Sequence, residues 1–214
     1  MLRKMLSINW FKFIFLNFLS SKVNRKGKGY IIPYWNSIMD LGKGAVIEIY
    51  GDENFHVNYH KPKHSKAEAY IKMLEKSKLI IRGNVVLNYR ATSEVHKNAI
   101  VEIGKNVIIN SGAVILAADS IKIGDECLIS RDVYIYDSDH HKIFNDEGKQ
   151  TNQVMPVTVG NHVWIGLKCT LLRGTYIGEG SMIAAGSVVG GKIKEGVMAQ
   201  GNPARPFANI KWEI

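Results

Sequence analysis

Between residues 159 and 193 the aliphatic positions recur every sixth residue: Val159, Ile165, Leu171, Ile177, Ile183 and Val189. Glycine follows several of them directly (Gly160, Gly166, Gly178, Gly190). The position four residues after each carries Val163, Cys169, Thr175, Ser181, Ser187 or Ile193, most of them small or branched. An earlier register runs through Ile103, Ile109 and Ile115, slips by two residues, and resumes at Ile123, Ile129 and Ile135. Its companions are Val107, Ala113, Cys127 and Val133, with glycine after Ile103 and Ile123. A period of six fits neither an amphipathic helix nor a strand with plain alternation. It fits a short strand ended by a sharp turn, repeated. The aliphatic points inward, glycine relieves crowding at the corner, and the small residue fills the space beside it. Three such strands close one coil, and stacked coils make an all-β solenoid with a continuous apolar interior. Cys127 and Cys169 then become small interior hydrophobes.

The pattern fails at both ends and once in the middle. Between Ile135 and Val159 the chain reads YDSDHHKIFNDEGKQTNQVMPVTV, a polar stretch with a turn at Asp146-Glu147-Gly148. A solenoid expels such an insertion to its surface, often onto the binding face. This one opens with Asp137, Asp139, His140 and His141. Upstream, residues 45–50 alternate like a strand. Ser65 followed by Glu68 predicts a short capped helix over 65–78. His56, His60 and His64 share a spacing of four, but Pro62 interrupts any helix that would align them, so a solvated loop is expected rather than a zinc site. The expected division is a basic amphipathic N-terminal arm (1–39), lead-in strands and a short helix (40–80), the solenoid (81–206) with its extruded loop (136–157), and a C-terminal tail (207–214).

Composition changes the picture mainly at the arm. The chain has 214 residues, 46% hydrophobic and 22% charged, which describes a folded protein. Its net charge of +9 is unevenly spread. Arg3, Lys4, Lys12, Lys22, Arg25, Lys26 and Lys28 fall in residues 1–39, which hold no acid; the rest is nearly balanced, with 21 basic and 19 acidic residues. A balanced body argues against a nucleic-acid partner. Two distant cysteines without a CxxC spacing favour a reducing, cytoplasmic compartment. Residues 8–19, INWFKFIFLNFL, fall short of the roughly 20 apolar residues that cross a bilayer. Lys12 and the lack of a small-x-small site count against a signal peptide. Two readings of the arm stand. Residues 1–28 lie on the inner face of the membrane, aromatics at the headgroup boundary and lysines on anionic lipid, or the helix packs on the body or on another subunit.

The motifs VEIGKNVIINSGAVI (101–115), IKIGDECLISRDVYIYDSDHHKI (121–143), VTVGNHVWIG (157–166), TYIGEGSMIAAGSVV (175–189) and QGNPARP (200–206) resemble those of the hexapeptide-repeat acyltransferases. The likeness is nearest to the sugar and capsular-polysaccharide O-acetyltransferases related to the maltose and galactoside enzymes. It implies a left-handed parallel β-helix, a homotrimer with active sites between neighbouring subunits, acetyl-CoA as donor, no metal, and a sugar or surface-glycan hydroxyl as acceptor. Acetyl transfer needs a base for the hydroxyl proton, and neutral histidine suits that role. Overlaying the family's Ser-Asp-Gly-His-x-Ile on Ser138–Ile143 assigns the base to His141, with His140 as the minority candidate, at the place where glycine often stands, and Asp139 as a candidate orienter. The same overlay assigns Trp164, Leu167, Ala185, Gly190, Gly191, Lys192 and Arg205 to the donor, Arg205 at its phosphates. Here Gly190-Gly191-Lys192 replaces the frequent Thr-Lys-Asp. The family's sugar-orienting asparagine falls on Gly112, leaving Asn110, Tyr89 and Arg90 as acceptor candidates. A zinc site from His140, His141 and His162 is disfavoured, because adjacent histidines do not readily face one ion. Two alternatives remain: an N-acetyltransferase of a nucleotide-linked amino sugar, and a non-catalytic assembly scaffold.

Overall fold

The computed structural model describes residues 5–213. Its strands form three parallel sheets, here the first, second and third faces, and each coil passes through them in turn. One coil shows the plan: Ile100–Ile103 lies on the first face, Val107–Ile109 on the second and Val114–Ala117 on the third, before Ser120–Ile123 returns to the first. Successive coils stack in register. Val101 lies beside Ile121, and Ile121 beside Val157. Ile109, Ile129, Ile165 and Ile183 form a second column, and Ile115, Ile135, Leu171 and Val189 a third. All are buried and belong to one core that also contains Cys127 and Cys169. Each such side chain contributes about 1.5–3 kcal/mol through removal of apolar surface from water.

The corner glycines serve close approach. A Cβ at Gly166 would lie 2.6 Å from the carbonyl oxygen of Ile183, and one at Gly178 would lie 2.4 Å from the nitrogen of Glu195. The next coil's backbone passes there, which no other residue tolerates. Several corners that need a left-handed backbone carry Asn98, Asn106, Asp132, His162 or Lys168 instead of glycine.

The solenoid begins earlier than expected. Val23–Arg25 already pairs in parallel with Val46–Ile49, which pairs with Lys78–Ile81. The helix expected over 65–78 is absent. Ala69–Met73 is a third-face strand between Ser37–Leu41 and Thr92–Val95. Ala69, Ile71 and Met73 are buried there while Tyr70 and Lys72 face outward, so period-two burial in the coil overrides the cap signal. The Ser65 hydroxyl does accept a backbone hydrogen bond, from Ala67 at 3.1 Å, but this turn leads into a strand. His60 and His64 lie in the connection ahead of it, and His56 is on the second-face strand Phe55–Tyr59.

At the N-terminal end, helix α1 (Trp10–Ile14) runs into a π-helical turn (Phe15–Leu19). Asn9 caps it by accepting the Lys12 N–H at 3.0 Å. Asn17, buried, accepts from the Ile31 nitrogen (2.9 Å) and donates to its carbonyl (2.8 Å). The arm is thus clamped to the first coil. Arg3 and Lys4 lie outside the described residues. At the other end Ala204–Asn209 folds back antiparallel on Val197–Gly201 and covers the last second-face edge.

Candidate active site

The insertion leaves the third face after Tyr134–Tyr136 and returns at Val157–Val159 on the first. Its root is Asp137, fully buried, whose carboxylate accepts the backbone N–H groups of Ala118 (2.7 Å), Asp119 (2.8 Å) and Ser120 (2.8 Å). These are the corner amides of the preceding coil, so Asp137 fastens the loop to the solenoid.

Asp139 is held by Arg173 Nε at 2.8 Å and by Asn152 Nδ2 at 3.0 Å. These bonds, Arg173 first, hold its carboxyl below the usual range. Asn152 is the hub of the loop. Its Nδ2 also donates to the His141 carbonyl (2.6 Å), and its Oδ1 accepts the Ile143 N–H (2.7 Å). The backbone on both sides of the histidine is therefore fixed by one side chain only 5% exposed. Asp139, expected as an orienter, reaches the histidine through Asn152 and by accepting the His141 N–H on its own carbonyl (2.7 Å).

The two histidines diverge. His140 has φ of +59°, a left-handed backbone that glycine adopts without strain. Its ring lies 5.1 Å from that of His96 and 6.4 Å from that of Tyr136. His96 in turn stands 3.3 Å from Glu94, which also pairs with Lys72 at 3.0 Å. His141 is exposed, and its imidazole makes no hydrogen bond among the described residues. Asn152, Arg173, His96 and Glu94 were not legible as site residues: Asn152 acts across the loop, Arg173 and His96 meet it from other strands, Glu94 stands behind His96, and no local motif marks them.

Most of the remaining candidates sort onto the edges that flank the third face. Gly190, Gly191 and Lys192 share the third–first edge with the histidine loop. The Gly191 carbonyl accepts from Tyr176, and the Lys192 ammonium lies 5.3 Å over the Tyr176 ring. Trp164 stands on the second face, its indole N–H on the Ser130 hydroxyl at 3.1 Å. Leu167 and Ala185 are exposed on the second–third edge, one coil apart, where Gly186 donates to the Leu167 carbonyl at 2.7 Å. Arg205 is exposed on the return strand opposite Gln200. Tyr89, Arg90 and Asn110 lie on the second–third edge in earlier coils. Both ends of the Asn110 amide are engaged, accepting from Asn88 (3.2 Å) and donating to the Ile129 carbonyl (3.1 Å). At a strand rise of 3.3 Å per residue, the third face separates the two groups by roughly 15 Å. Within one copy they do not meet.

His162 belongs to neither group. It sits between the first and second faces, stacked on Trp212 at 4.1 Å with an interplanar angle of 9°, its Nε2 2.9 Å from the Trp212 carbonyl. The C-terminal tail thereby passes within 5.9 Å of the Trp164 ring. Burial pushes the Cys127 thiol up to about 12 and raises that of Cys169, so neither is a nucleophile near neutral pH.

Residues 156–191 match the bacterial transferase hexapeptide family (six repeats), and residues 100–137 match the hexapeptide repeat of succinyl-transferase. The galactoside O-acetyltransferase of Escherichia coli is 34% identical over 112 residues, 51% of this chain and 54% of that protein. The chain spans about half the length of the curated relatives it matches. Two solved structures share the fold: the polySia-specific acetyltransferase NeuO (TM-score 0.64, 21% identity, 91% of this chain and 90% of that one) and the polysialic acid O-acetyltransferase OatWY (TM-score 0.57, 21% identity, 90% and 91%). Matched hexapeptide repeats on both sides of the loop, built into a three-faced parallel coil, give this chain the left-handed β-helix fold of those structures.

Proposed function

We propose that the chain is an acetyl-CoA-dependent O-acetyltransferase acting on a sugar hydroxyl in surface-glycan assembly, working as a homotrimer with its sites between neighbouring copies. One observation carries this reading: the candidate residues divide between two edges of the prism. The histidine loop stands on one, and Leu167 and Ala185 on the other, with Trp164 on the adjoining second face. Side-by-side packing of copies brings the loop edge of one against the second–third edge of the next, which completes a site that neither holds alone.

The second–third edge suits the donor. Leu167 and Ala185 are exposed in successive coils, and a Cβ at Gly186 between them would meet nothing within 4 Å, so the ledge is open to a long ligand. Arg205 supplies a cation for phosphate oxygens. Bound there, acetyl-CoA presents a thioester carbonyl. The His141 imidazole takes the proton from the acceptor hydroxyl as its oxygen bonds to that carbon. The carbon–sulfur bond then breaks and the proton passes to the departing thiolate. Asn152 holds the backbone around His141, so the imidazole starts from one place.

The test is CoA release from acetyl-CoA over a panel of free, nucleotide-linked and lipid-linked sugars, with molecular mass measured by light scattering. Release that needs a sugar hydroxyl and is lost in His141→Ala supports the reading. Preference for an amino sugar would change the acceptor to an amine. No CoA binding and no release would leave a scaffold.

A further inference from the structure

Exposed large apolar side chains gather at the N-terminal end of the solenoid. Phe11 is 85% exposed, Leu6 and Leu19 71% each, with Phe18 and Trp35 more than half exposed beside them. A helix of a folded protein ordinarily turns its apolar stripe to the core. Here only Leu16 and Asn17 of residues 10–19 are buried, and most of the large side chains face outward.

This surface is fixed in place. Asn17 clamps the Ile31 backbone, Asn9 donates to the Pro33 carbonyl at 2.8 Å, and the Trp35 indole donates to the Leu6 carbonyl at 3.3 Å. Lys12 and Lys22 turn inward onto the carbonyls of Ser37 and Leu41. Cations flank the apolar area on both sides. Lys26 and Lys28 are exposed next to Arg25, whose guanidinium lies over Phe18 (5.2 Å) and Tyr30 (4.4 Å). Near Trp35, Lys63 and Lys66 are exposed, and Asn36 donates to the Lys66 carbonyl. Residues 1–39 carry no acid, and Asp52 faces this side by accepting the Lys28 N–H.

We propose that this end of the molecule docks on a membrane surface bearing anionic phospholipid. Aromatic and leucine side chains enter the headgroup–acyl boundary while the flanking lysines meet phosphate-rich headgroups. No helix among the described residues is long and apolar enough to cross a bilayer, so the contact is interfacial. A second copy is the poorer occupant, because a face-to-face contact would oppose Lys26 and Lys28 to their own kind. The arm is already ordered, so docking does not carry the entropy cost of folding a loose tail.

Vesicle co-sedimentation tests this, independently of any catalytic assay. The full chain is mixed with vesicles of phosphatidylcholine alone or with phosphatidylglycerol added. The paired variants are Phe11→Ser with Leu19→Ser, and Lys26→Glu with Lys28→Glu; all four side chains are exposed, so the coils are untouched. The wild type is expected to pellet with the anionic vesicles and to favour them over phosphatidylcholine. Each paired variant loses about tenfold in partition, with melting temperature and molecular mass unchanged. The proposal is overturned if the wild type stays in the supernatant, if it binds both vesicle types equally, or if the variants bind like the wild type. It is also overturned if the serine pair changes the mass, which would make another copy the occupant.

Discussion

The coils and the loop that leaves them are held by opposite means. In the coils, columns such as Ile109–Ile129–Ile165–Ile183 repeat one small contribution many times. In the loop, residues 137–156 depend on a few side chains: Asp137 at the root, Asn152 at the centre, and the Asp139–Arg173 pair at the rim. The difference teaches that stability resides in the coils and, under the proposed function, chemistry in the loop. A change in one should leave the other alone.

The largest effect is expected at the histidine. His141→Ala should lower CoA release by about 10²–10⁴-fold while the melting temperature stays at the wild-type value; a drop of several degrees would break the division. Next comes the core. Ile115→Ala, fully buried on the third face, should cost about 2–5 kcal/mol in a urea titration, with normal activity per folded molecule. Asn152→Ala should come third. It leaves the His141 carbonyl and the Ile143 N–H without their partner and should lower kcat by about 10–100-fold, with the KM for acetyl-CoA little changed.

Fourth is acidity. Because Arg173 and Asn152 lower the Asp139 pKa in the folded state, the pair's contribution is complete above the unfolded carboxylate pKa of about 3.9. It fades as pH falls through the lower folded value. Protection of residues 138–153 from proteolysis should therefore persist to about pH 4 and weaken below it; Asp139→Asn should abolish that dependence. Solvent screening keeps the pair at no more than about 1 kcal/mol. The smallest effect is expected from His140→Gly, since glycine suits the left-handed backbone at φ +59°. A loss as large as that of His141→Ala would instead make His140 the base.

The C-terminal coils were legible because each face there spends six residues and a two-residue strand, as at Trp164–Ile165, Thr170–Leu171 and Tyr176–Ile177. The N-terminal coils hid the same design. Their strands run to four or five residues, so Ile81, Ile103 and Ile123 align in space at spacings of 22 and 20 rather than 18. Their corners use Asn36, Asn58, Lys76 and Asn98 in left-handed conformation, where no glycine marks the turn. The cap signal at Ser65 is real as a local turn, yet the strand beyond it is set by pairing with strands 32 residues before and 22 after. The loop announced itself as a break in period, and its histidines as titratable residues at that break. Asn152 and Arg173 could not be found this way, since each acts through space on a residue 13 or 34 positions distant.

The division of the candidate residues between two edges also has a genetic meaning. In a shared-site trimer, a copy carrying His141→Ala keeps a sound donor edge, and a copy carrying Trp164→Ala keeps a sound loop. Each is inert alone. Unfolded together and refolded at equal amounts, they should form mixed trimers in which about a quarter of the interfaces pair the two intact halves. Two dead proteins would then restore each other, and two lesions on the same edge would not.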